Sequence, residues 1–153
     1  MKKIVLLLLA FAFYSCQEDV KFNDQAVQAQ NDGELWQATS FKAVLTASDG
    51  YVVITANKGF ETLTMRTNSI MPHTSTFGTD FVNYAQFVDT TPNASGTFST
   101  GINGGSGEIK VAEYSSGTLT GTFKFNAINE ITATKIKLFR NGTFYKIPVT
   151  VIQ

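Results

Sequence analysis

The 153-residue chain has one cysteine, one histidine, one tryptophan and three prolines, and its 12 basic residues are balanced by 12 acidic ones. Each scarcity excludes something. A single cysteine, Cys16, rules out a disulfide framework within the chain and any cysteine-based zinc site. A single histidine, His73, leaves no His/Cys spacing for a metal, and no Asp-x-Asp-x-Asp-Gly loop offers calcium its oxygen ligands. Lysine and arginine are scattered, so counterion release has no basic face to act on and nucleic acid is excluded as a partner. The glycine-rich stretch Gly101–Gly107 lacks the Gly-Lys-Ser/Thr of a phosphate cradle, and the segment after it reads as a strand. The expectation is a protein without metal or cofactor.

What is present begins at the N-terminus. Lys2 and Lys3 precede the apolar run Ile4–Phe13. Ten residues make about 15 Å of helix, half of a bilayer's hydrocarbon thickness, so residues 1–15 read as a signal peptide rather than a span. Phe13-Tyr14-Ser15-Cys16 resembles a bacterial lipobox, which implies cleavage before Cys16 and acylation of its thiol with a palmitate-type chain. Each buried CH₂ contributes about 0.8 kcal/mol, so two or three chains anchor the protein in a membrane. Cleavage removes two lysines and no acid, leaving a formal charge of −2. Gln17, Glu18 and Asp19 resemble the export signal of Bacteroidota-type lipoproteins, implying the cell-surface side of the outer membrane, with its periplasmic face as the alternative. Residues 16–32, rich in Asn, Gln, Asp and Ala, read as a tether.

From Gly33 to Gln153 the chain changes to short runs of Thr, Phe, Val and Ile separated by Gly, Asn, Asp and Ser, with no helical stripe. Thr118–Ala127 alternates cleanly, with Leu119, Gly121, Phe123, Phe125 and Ala127 on one face. Phe41–Ala47, Tyr51–Ala56 and Glu61–Thr67, joined by turn residues, predict a three-strand meander with Tyr51–Ala56 central. Asn141-Gly142, between Thr134–Arg140 and Thr143–Ile152, predicts a type I′ hairpin turn, and Pro148 belongs at an edge, a bulge or an outward-facing position. Gly-Thr-Phe recurs at residues 96–98, 121–123 and 142–144 with unequal spacing, which reads as shared strand grammar rather than a repeat architecture. The expected fold is an all-β antiparallel β-sandwich of seven to nine strands, with a closed lipocalin-like β-barrel as the alternative.

Together the lipobox, Leu35-Trp36-Gln37-Ala38, the strand Ser116–Phe125 and Asn141-Gly142-Thr143-Phe144 resemble an uncharacterised family of small Bacteroidota-type lipoproteins. That resemblance implies an envelope location and supplies no catalytic residues.

Chemistry is sparse. His73 lies in a proline-containing stretch between strands with no nucleophile marked beside it, and the acids Asp80, Asp89, Glu108, Glu113 and Glu130 fall on separate elements. A non-enzymatic protein is expected. Aromatics carry the better lead: Trp36, His73, Phe77, Phe81 and Tyr84 are the candidate ligand-binding residues, with Trp36 alternatively plugging the end of the core. Asp89-Thr90-Thr91 resembles a Bacteroidota-type O-glycosylation acceptor, with Thr90 modified. The expected function is a membrane-anchored module that binds a glycan, small molecule or protein, the alternative being a structural or assembly accessory of the envelope.

Overall fold

The computed structural model describes residues 26–101 and 104–153. The signal peptide, Cys16, the Gln17-Glu18-Asp19 signal and the tether as far as residue 25 lie outside the described residues.

Among the described residues every regular element is a strand. The predicted meander forms as β3 (Ser40–Thr46), β4 (Val52–Lys58) and β5 (Glu61–Thr67), paired antiparallel in that order. Next to β5 lies β7 (Tyr84–Asp89), then β8 (Gly96–Ser99), which meets the end of β10 (Thr118–Asn129). β10 pairs along its length with β9 (Ser106–Ser115) on one side and the long β11 (Ile136–Ile152) on the other. The far end of β11 runs parallel to β3, so the hydrogen-bond ladder β11–β3–β4–β5–β7–β8–β10 returns to β11. β6 (His73–Phe77) extends the sheet beyond β9, and β1 (Ala26–Asn31) and β2 (Glu34–Gln37) extend it beyond β11.

The all-β expectation holds. Among the described residues eleven strands, in one mixed sheet, exceed the seven to nine expected. One addition lies in the predicted tether, whose end at residue 32 is too late: Ala26–Asn31 is a paired strand. Val27 and Ala29 are buried and alternate with Gln28 and Gln30. Their small size hid the pattern. Phe144 and Trp36 stand directly opposite Val27 and Ala29 in register and supply the bulk that β1 lacks.

The predicted hairpin at Asn141-Gly142 does not form. β11 runs straight through the dipeptide, and Asn141 alone takes a positive φ, 50°. A type I′ turn needs positive φ at both central residues. Here the left-handed residue instead accommodates a bulge: β11 carries one extra residue relative to both neighbours, between the Thr143↔Gln28 and Arg140↔Gln30 pairs on one side and between Gly142↔Phe123 and Phe139↔Phe125 on the other. Asn141 Nδ2 donates to Gln30 Oε1 at 3.1 Å, which fixes the bulge to β1. Strands on both sides of β11 satisfy more backbone groups than a turn would. Pro148 is exposed near the point where β11 passes from β10 to β3, as an outward-facing proline should be.

Two Gly-Thr-Phe copies explain each other. Gly121 lies opposite Phe144, Thr122 opposite Thr143, and Phe123 opposite Gly142. A Cβ on Gly121 would come within 2.3 Å of the Phe144 ring, and one on Gly142 within 2.5 Å of the Phe123 ring. Each glycine therefore seats the other strand's phenylalanine. Beneath them the core is aromatic: Phe125 stacks on Phe139 at 4.7 Å, and Trp36 meets Phe139 edge-on at 6.0 Å.

Candidate functional site

Of the residues singled out in the sequence, two lie inside the protein. Trp36 is 1% exposed, edge-on to Phe87 and Phe139, and its Nε1 donates to Glu61 Oε2 at 2.8 Å. It is the core plug. Phe77, 2% exposed, is the last residue of β6 and packs edge-on against Phe125 at 6.3 Å, so its ring offers no ligand surface. Alternation along β6, with Ser75 and Phe77 inward, is what buries it; the proline before it had masked that alternation as loop.

His73 opens β6 rather than sitting in a loop. Its Nδ1 donates to the Met71 carbonyl at 2.6 Å, and its Nε2 lies 2.7 Å from Thr67 Oγ1. A hydroxyl beside an imidazole is half of a nucleophile–base pair. Thr67, however, is buried, and its hydroxyl oxygen also lies 3.2 Å from the buried Ser75 Oγ, which donates to Asn68 Oδ1. The network ties β6 to the end of β5, with Thr67 fully buried.

Phe81 and Tyr84 are brought together, with two partners that the sequence did not mark. β5 and β7 pair so that Arg66 and Tyr84 are opposite one another on the outer face. The Arg66 guanidinium lies over the Tyr84 ring at 4.8 Å and over the Tyr51 ring at 5.2 Å. From this shelf Arg66 Nε donates to the Val82 carbonyl at 2.7 Å and an Arg66 Nη donates to the Phe81 carbonyl. Asp80 Oδ1 accepts from the backbone N–H of Val82 at 2.9 Å and of Asn83 at 3.0 Å, and Asn83 Oδ1 accepts from Asn68 N–H at 3.0 Å. The loop is thus held on three sides, and it presents Phe81 with 77% of its surface exposed. Arg66 and Tyr51 were missed because the cluster depends on the β5–β7 pairing, and each residue alone reads as ordinary strand surface.

Thr90 is exposed just past β7, its hydroxyl donating to the Phe60 carbonyl at 2.9 Å. The scattered acids mostly stay apart: Glu108 bridges Lys124 at 3.2 Å on the outer face. Glu61 and Asp89, by contrast, are register partners on the inner face, a juxtaposition that required knowing the same β5–β7 pairing. Among the described residues no three His, Cys, Asp or Glu side chains gather to hold a metal.

The comparison with known families bears on where the domain starts. Residues 23–148 match DUF6252, a domain of unknown function. The chain belongs to the DUF6252 family. Its match starts just ahead of β1, as it should if β1 is a strand of the DUF6252 domain rather than tether. No curated protein and no solved structure matches the chain.

Proposed function

We propose that this DUF6252 protein is a lipid-anchored module of the outer-membrane envelope, displayed on the cell surface, that binds another protein without catalysis through Phe81 and the shelf beneath it. The observation that carries the proposal is a large apolar ring left in water on a loop held by five hydrogen bonds. Exposed aromatic anchors on pre-ordered loops cost little entropy on docking and supply a disproportionate share of binding energy. Both tyrosine rings of the shelf already have Arg66 against a face, which favours a partner that receives Phe81 in an apolar pocket over a sugar stacked on the tyrosines. Cys16 would supply the anchor, Gln17, Glu18 and Asp19 the route to the surface, and β1 follows that segment closely.

The test is a photo-crosslinking residue at position 81 of the full chain in intact envelopes, with Ile131, 91% exposed, as the control position. A discrete protein adduct from position 81, absent from 131, is expected. No adduct at 81, or the same adducts from both, would overturn the reading.

A further inference from the structure

The β5–β7 pair that carries the Arg66–Tyr84 shelf at one end carries Glu61 and Asp89 at the other, on the inner face beyond the buried Leu63 and Phe87. Like charges directly opposite one another repel. Each has its own donor: Trp36 Nε1 on Glu61 Oε2 and Thr91 N–H on Asp89 Oδ1, both at 2.8 Å. Asp89 is only 8% exposed, a carboxylate retained at the rim of an aromatic core.

Facing it, Lys137 extends from β11 over the same core end. Its Nζ lies 5.9 Å from the Phe87 ring centre and 6.0 Å from that of Phe98, and 3.1 Å from Asp32 Oδ2. Between these walls is a cleft of about 400 Å³ lined by Asp89, Asn93, Phe98, Lys135, Ile136 and Lys137. On the other side of the acid pair Asn31, Lys58, Trp36 and Glu61 line a smaller recess, and Asn31 Oδ1 is buried with no hydrogen-bond partner.

The chemistry of the lining selects its ligand. An anion would meet Asp89, and a cation would meet Lys135 and Lys137. A hydroxyl both accepts from an ammonium and donates to a carboxylate, so a neutral polyol satisfies both signs at once. Its C–H face has the exposed Ile136 to lie against, and the volume is that of a small-ligand site. We propose that this cleft is a saccharide-binding site for neutral, hydroxyl-rich sugars, with Asp89, Asn93, Lys135 and Lys137 as its polar contacts. It is separate from the Phe81 surface and stands whether or not that surface docks a protein.

The full chain, solubilised in a detergent without a sugar headgroup, is titrated by thermophoresis with neutral glucose-, mannose- and galactose-based oligosaccharides. Glucuronic-acid oligosaccharides and spermidine serve as charged comparators. Binding of a neutral oligosaccharide is expected, weakened about tenfold or more by Asp89→Asn and by Lys135→Ala. Lys135 is exposed, so its variant folds even if the buried Asp89 proves necessary for the rim. Phe81→Ala leaves sugar binding unchanged, which separates failure here from failure of the docking surface. Silence across the neutral panel, binding of the charged comparators alone, or neutral binding that survives Lys135→Ala would each overturn the proposal.

Discussion

Replacing Gly142 by alanine tests the reciprocal seating of the two Gly-Thr-Phe strands. The new Cβ would stand 2.5 Å from two carbons of the Phe123 ring and 2.6 Å from its carbonyl oxygen. Ordinary contacts begin about 1 Å farther out. Movement of the ring would break its packing, because Phe123 is buried and stacked with Phe125 at 6.2 Å, and the carbonyl belongs to the β10 strand. Forcing one methyl into so packed a place costs about 2–3 kcal/mol. Gly142 has no positive φ, so the cost is packing rather than backbone strain. At about 4 °C per kcal/mol for a domain of this size, Tm should fall by about 8–12 °C. Urea unfolding of the chain from residue 23 onward gives the free energy, and the decisive measurement is the double variant. Phe123→Leu alone leaves a void and costs about 1 kcal/mol, yet it removes the atoms that the Cβ strikes. Gly142→Ala with Phe123→Leu should therefore be more stable than the sum of the single effects implies, by about 1 kcal/mol or more. Strict additivity, or a Gly142→Ala variant within about 0.5 kcal/mol of the parent, would refute the seating argument.

Three further outcomes are expected. Cys16→Ser should move the protein from the membrane to the soluble fraction; retention in membranes would defeat the acyl anchor. Replacing Glu18 and Asp19 by alanine should leave the lipid in place, read by mass, while abolishing cleavage by protease added to intact cells, and unchanged cleavage would mean that the acidic pair is only tether. Arg66→Ala should release the Phe81 loop, so that amide hydrogen exchange at Phe81–Asn83 quickens at least several-fold while the β9–β10 amides keep their protection. Equal quickening throughout would mean that Arg66 supports the whole sheet rather than the loop.

How far each feature could be read from sequence depended on how far apart its determinants lie. β5 appears with the predicted bounds, and the predicted face of β10 is buried from Leu119 to Ala127, because alternation is a property of one segment. β1 carries the same alternation in Val27 and Ala29, but its inward residues are small, and only Phe144 and Trp36 across the ladder complete it. Asn141-Gly142 shows the opposite failure. Its local preference for a turn is real, yet pairing to β1 and β10 on both sides turns a hinge into a bulge.

The same division holds for the candidate sites. Sequence by itself determined the all-β class and the phenylalanines of the Gly-Thr-Phe strands as core, since these follow from composition and near neighbours. It could not sort rings that line the core from rings that face water: Phe77 and Phe81 are four residues apart, one 2% and the other 77% exposed. Only tertiary structure decided that, along with the meeting of Arg66 with Tyr51 and Tyr84 and of Lys137 with Asp32. Those contacts arise from strand pairings between distant segments, and a pairing is settled by the packing of all the strands together.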